Sequence, residues 1–231
     1  MTAGGLGAVT GTVPVEWVLT VTNWRGLFFG FSSIAAILSL TLYLVVPQRT
    51  GTDSITSTMK DQIGGLIQIY TSPKFWRIAP ITIATQSMFL GTQSLWSGPW
   101  LSDVAGLERD IVANYLFLIA ISMVGGFLGI GAIADRLEKA NIKTINVSVA
   151  GMTIFTIIQL PIILQWTDWA LPIWIAFGFF GTAGILSYAT LPQYFPAEMA
   201  GRVITGLNVF TFGGAFAAQW GMGLIINLWP S

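Results

Sequence analysis

With no cysteine and no histidine in the chain, few side chains remain that could do chemistry, and most of them fall inside long apolar stretches. Gln86, Gln93, Trp96 and Trp100 recur at i, i+7, i+10 and i+14, which places them on one helical face. An amide pair beside an aromatic wall suits a small polar solute. Asn208, Phe212, Ala215 and Gln219 form a second such line at i, i+4, i+7 and i+11. In hydrocarbon, amides serve equally as helix-to-helix hydrogen bonds worth below ~2 kcal/mol each, so both readings stand at this stage. Glu16 is the only ionisable residue well inside an apolar stretch. It reads either as a proton-coupling carboxylate or as an acid near water on a short, frayed helix, because an unpaired charge at mid-depth is costly. The missing cysteine and histidine exclude disulfides, zinc sites of the usual ligand types and histidine relays. With no paired intramembrane carboxylates either, no enzyme and no cofactor is expected.

The elements that must position these groups follow from the distribution of charge. The chain has 231 residues, 54% of them hydrophobic, with only ten basic and ten acidic side chains, and a mean hydropathy of +0.73. That is more apolar surface than a soluble domain of this size buries. Residues 26–48, 78–102, 111–134, 144–167, 169–197 and 203–231 contain no charge at all. Each is long enough to cross ~30 Å of hydrocarbon, which takes roughly 20 residues in a helix. The first 24 residues supply a seventh stretch, interrupted only by Glu16. The expected fold is therefore all-α: a polytopic membrane protein with seven transmembrane helices. The N-terminus lacks the basic region and cleavage site of a signal peptide, so the first helix is expected to stay in the mature chain. Zero net charge and the lack of a basic stripe argue against a nucleic-acid partner.

Threading the segments in order makes their loops alternate between the two sides. One set holds Arg49, Lys60, Lys74, Arg77, Arg136, Lys139, Lys143 and Arg202, whereas the other holds Arg25 and Arg109. The positive-inside bias puts the first set, and with it the N-terminus, in the cytoplasm. Trp24, Trp100, Trp166, Trp169 and Trp229 then fall at outer helix ends, at headgroup depth, and Trp76 at an inner end. Between 48 and 75, Ile63, Leu66, Ile67 and Tyr70 have the spacing of a short helix on the inner surface, although Gly64 and Gly65 weaken it. Gly125 with Gly129, and Gly213 with Ala217 and Gly221, repeat every fourth residue as in small-residue contact faces. Pro14, Pro80, Pro161, Pro172 and Pro192 predict kinks.

The most specific local motif is Gly131-Ala-Ile-Ala-Asp135-Arg136-Leu-Glu-Lys139. It resembles the G-x-x-A-D-R-x-G-R-K signature of the major facilitator superfamily, with Glu138 where that family often has Gly. Its thinner basic run is similar to the second copy of the signature, between helices eight and nine. Pro196-Ala-Glu198-Met-Ala-Gly201-Arg202 resembles the family's loop between helices ten and eleven, and Ser72-Pro73-Lys74-Phe75-Trp76-Arg77 the start of helix seven. The resemblance covers essentially the whole chain. It implies that residues 1–47 are the last two helices of an N-terminal bundle, 48–75 the cytoplasmic central loop, and 76–231 a C-terminal bundle of helices seven to eleven. On that alignment helices one to four and the last helix have no counterpart, so a partial fold, from a truncated gene product or a partial sequence, is expected.

What the resemblance implies is a secondary carrier, moving a small solute by alternating access and coupled to H+ or another ion. The expected location is a bacterial inner (plasma) membrane. Asp135 can accept hydrogen bonds from the N-terminus of a neighbouring helix, and Arg136 can pair with a carboxylate such as Glu198. Gly131, Asp135, Arg136, Glu198 and Arg202 are thus the expected cytoplasmic gate, the alternative being a basic cluster that only fixes topology. A complete seven-helix receptor or other non-transport membrane protein is the competing reading from span count alone. A retinal protein would need a lysine within a span, and Lys60, Lys74, Lys139 and Lys143 all lie in or beside loops.

Overall fold

The computed structural model describes residues 7, 9–11, 13–46 and 59–228, with backbone alone for Val13, Glu16 and 59–62. Every regular element among them is helical. α1 is Val13–Val21. α2, Trp24–Val45, opens on Asn23, whose side-chain oxygen accepts from the Gly26 amide at 3.0 Å, as a helix N-cap should. α3 is Met59–Tyr70. α4 begins as Pro73–Gly91 and continues to residue 104 through two π-helical turns, Thr92–Trp96 and Trp100–Val104, on either side of Ser97–Pro99. α5 is Arg109–Lys139 and α6 Thr144–Ile163. α7 spans Thr167–Tyr194 with a 3-10 turn at Thr182–Gly184 in its middle, and α8 is Ala200–Leu228.

Five of these helices, α2, α5, α6, α7 and the α8 segment, are long and apolar enough to cross a membrane. The two remaining stretches of the seven expected from sequence are α1, which has 9 residues, and α4. α4 is long enough, but Thr82, Thr85, Gln86, Ser87, Thr92, Gln93, Ser94 and Ser97 dilute its apolar character. α7 is the best covered of the five spans, with 56% of its window buried, against 28% for α5. α4, α5, α6 and α8 pack around it. α2 has no buried residue and packs against α1.

Three apolar clusters fill the bundle. The outer one, on the side that the charge bias assigns to the outside, joins Phe89, Leu101, Ile119, Phe155, Trp174 and Phe177. A middle one joins Ile130, Met152, Ala183 and Leu186, and the inner one, on the side that the charge bias assigns to the cytoplasm, joins Ile69 of α3 to Phe75, Ile78, Leu191, Val203 and Leu207. The face by which α3 packs differs from the expected one. Gly65 and Ile69 are buried and Leu66 and Tyr70 half-buried, whereas Ile63 and Ile67 are exposed.

Two other expectations change in detail. The 131–139 motif does not open a loop, since α5 stays helical to Lys139 and the turn to α6 is short, with Asn141 at φ 63°. Asparagine tolerates that left-handed conformation well. The close helix contacts also sit one residue away from the expected small-residue faces. Nothing lies within 4 Å of a Cβ built on Gly125, Gly213 or Gly221, whereas one on Gly126 would meet the Phe179 carbonyl and one on Gly214 the Ser87 hydroxyl. A Cβ on Gly129 would stand 3.1 Å from the Phe179 ring of α7. α7 leaves the α-helical ladder at Thr182–Gly184, where there is no proline, and again at Leu191–Tyr194, which contains Pro192. Gly126→Leu should therefore lower stability by about 1–3 kcal/mol through overpacking, whereas Gly125→Leu should shift it by about 0.5 kcal/mol or less. Thermal unfolding of the two variants in the same detergent checks the contrast.

Candidate functional site

The polar groups of the bundle gather where α7 breaks. A 3-10 turn inside an α-helix interrupts the i→i−4 ladder. In hydrocarbon every carbonyl freed that way needs another donor. Here neighbouring helices add two side-chain donors to the turn. The Gln86 amide of α4 donates to the Gly181 carbonyl at 2.8 Å, and the Ser148 hydroxyl of α6 to the Ala183 carbonyl at 3.0 Å. Ser148 also lies 3.0 Å from the Ser187 hydroxyl. Glycines bring the donors this close, because a Cβ on Gly184 would stand 2.5 Å from the Gln86 amide nitrogen, and one on Gly151 2.5 Å from Ala183. On the far side Ser87 donates to the Thr211 carbonyl at 2.9 Å, and Tyr188 and Thr211 share a hydrogen bond of 2.9 Å. A belt of small hydroxyls and one amide thus crosses the bundle between the outer and inner apolar clusters.

The structure separates the four residues expected on one face of α4. Gln86 turns to α7, while Trp96 and Trp100 line a cavity of about 490 Å³ between the outer ends of α4, α6, α7 and α8. Gln93 is half-buried, and its carbonyl accepts from Ser97 at 2.8 Å. The cause is local. Pro99 has no N–H to give, and the π-helical turns around it each widen the spiral by one residue, shifting the phase by roughly 100°. In the cavity the Trp100 indole N–H donates to the Ile162 carbonyl at 3.2 Å. The indole N–H groups of Trp96 and Trp174 are buried without a partner among the described residues. Asp103 sits at the rim, accepting from Ser102 at 2.6 Å.

On α8, Gln219 donates to the Ser94 hydroxyl of α4 at 2.8 Å, on the surface of the α4–α8 seam. Asn208 is half-buried one end further in. Phe212, between them in the expected line, is exposed, and Ala215 is buried. Glu16 lies on α1, and its side chain falls outside the described residues, as does Trp229.

At the inner end Asp135, Glu138, Lys143, Thr144, Gln193 and Tyr194 border a polar cavity of about 370 Å³ between α5, α6 and α7. Thr144 donates to Glu138 at 3.3 Å. Gly131 faces open space, and Asp135, Arg136 and Glu198 are exposed. No ion pair joins Arg136 to Glu198 among the described residues. Arg202 lies instead over α3, its Nη1 2.7 Å from where a Cβ on Gly65 would be.

Sequence reasoning passed over Ser148, Ser187, Tyr188 and Trp174. Amides stand out in a hydrophobic run. Single hydroxyls do not, since Ser and Thr also satisfy themselves on their own helix, as Thr153 does on Val149.

Apolar helices long enough to cross a bilayer, with their polar side chains turned onto one another inside the bundle, define a helical integral membrane protein. The family profile described as Major Facilitator Superfamily matches residues 1–219. The chain therefore belongs to that superfamily, whose members are membrane secondary transporters and not enzymes. No curated protein and no solved structure matches it significantly.

Removing either donor takes a hydrogen bond away from the α7 break in a low-dielectric core. Gln86→Leu and Ser148→Ala should each lower stability, by about 0.6–2 kcal/mol. Because both act on one turn, the double variant should depart from additivity. Melting the four proteins in one detergent tests this, and additive losses would show that the two contacts act independently.

Proposed function

We propose that this protein carries a small solute across the membrane by alternating access, with residues 1–47 in one helical bundle and 76–231 in the other. The N-terminus and the 48–75 segment lie in the cytoplasm of a bacterial cell whose inner membrane holds the protein. The solute path runs along the seam of α4 and α8, past Gln93, Gln219 and Asn208, while Gln86 is committed to holding α7. Trp96 and Trp100 edge the same half of the molecule from the outer cavity. Glu16 is the candidate for coupling to H+ or another ion. Gly131, Asp135, Arg136 and Glu198 form the cytoplasmic gate, exposed here for contacts with the opposite bundle. Family membership favours this over a seven-helix receptor.

One observation carries the choice of path: the Gln219–Ser94 hydrogen bond lies on the outside of the α4–α8 pair. A polar pair facing lipid at this depth is disfavoured, so that seam must look toward water or toward protein. A transport path supplies both in turn.

The chain has no cysteine, so a single introduced thiol reports alone. Gln219→Cys should react with a membrane-impermeant thiol reagent added to intact cells or to inverted vesicles. Ile157→Cys, on the exposed apolar side of α6, should react in neither. A thiol at 219 that is silent from both sides would remove the seam as a solute path.

A further inference from the structure

The contacts around α3 give the central segment a role of its own. Ile69 is fully buried in the inner apolar cluster, among Phe75 of α4, Leu191 of α7 and Val203 and Leu207 of α8. Tyr70 packs edge-on against Phe75 and Phe210, with ring centroids at 5.5 and 5.3 Å. Its hydroxyl reaches the Gly206 carbonyl at 3.4 Å. The Trp76 indole donates to the Tyr70 carbonyl at 2.6 Å, which satisfies one of the terminal carbonyls left open at the end of α3. Two glycines make the fit. A Cβ on Gly206 would stand 3.1 Å from the Tyr70 hydroxyl, and one on Gly65 only 2.7 Å from the Arg202 guanidinium. α3 is thus held near its C-terminus by Ile69 and Tyr70, and the Arg202 side chain lies against Gly65 near its middle.

We propose that α3 is a built-in strap of the C-terminal bundle, and that Arg202 is a positioning residue that clamps it to α8. In a carrier whose halves rock, α3 then travels with α4 and α8. Arg202 accordingly serves the strap, and the gate facing the opposite bundle is left to Asp135, Arg136 and Glu198. The Arg202 clamp concerns only the inner end of the fold, so it stands or falls separately from the solute path.

Paired spin labels on introduced cysteines test it in the full chain in lipid nanodiscs. One pair is Gln68 with Thr205, exposed positions on α3 and α8; the reference pair is Leu128 with Phe212, exposed on α5 and α8. Both pairs should give a narrow distance distribution. Arg202→Ala should abolish the narrow component for the first pair and leave the reference pair unchanged, and Tyr70→Phe, which keeps the ring contacts, should retain it. A broad distribution for the first pair beside a narrow reference would overturn the strap. A narrow first pair that survives Arg202→Ala would overturn the clamp.

Discussion

A helix that crosses hydrocarbon cannot leave a backbone carbonyl without a donor. At Thr182–Gly184 α7 leaves the α-helical ladder for a 3-10 turn, and its neighbours add donors there, Gln86 from α4 and Ser148 from α6. Much of the bundle's arrangement follows from this repair. The donors must come within hydrogen-bond distance of a main chain, so α4 and α6 must approach α7 closely. Gly151 and Gly184 allow the approach. The hydroxyls of Ser87, Thr211, Tyr188 and Ser187 extend the same polar layer across to α8. Above it lies an aromatic cluster around Trp174 and Phe177, below it the inner cluster into which α3 is plugged.

Such a layer has a mechanical meaning. Dispersion contacts between smooth apolar helices are non-directional, and lipid competes for them on nearly equal terms. Hydrogen bonds onto specific carbonyls fix register and rotation as well. The bundle of α4 to α8 is thereby suited to move as one body, which a carrier that rocks between two states requires. Exposed polar groups lie at the α4–α8 seam, and exposed charges at the end of α5 that carries Asp135 and Arg136.

Much of this could be read in the sequence, because charge clusters and their gaps carry a period far longer than any local ambiguity. Asp135 and Arg136 sit near a helix end, and the helical character of 59–70 was legible from the spacing of Ile63, Leu66, Ile67 and Tyr70. The rest was hidden for identifiable reasons. The face of α4 was mis-phased because Pro99 and the π-helical turns around it violate the 3.6-residue period on which face assignment rests. The contact glycines were missed by one position because Gly125 and Gly126 are adjacent, and only the neighbour's placement decides between them. Gly65 read as a weak point of α3, yet it is where Arg202 lies down. The repair of α7 could not be seen at all, since its donors are 95 and 35 residues away from their acceptors.

The sealed break is tested most directly by amide hydrogen–deuterium exchange of the protein in nanodiscs, resolved over residues 181–187. If side chains from α4 and α6 close the turn, its amides should exchange as slowly as those in the middle of α5. Exchange within the first time points, while α5 stays protected, would mean that the break is open to water and that the account of the bundle built on it is wrong.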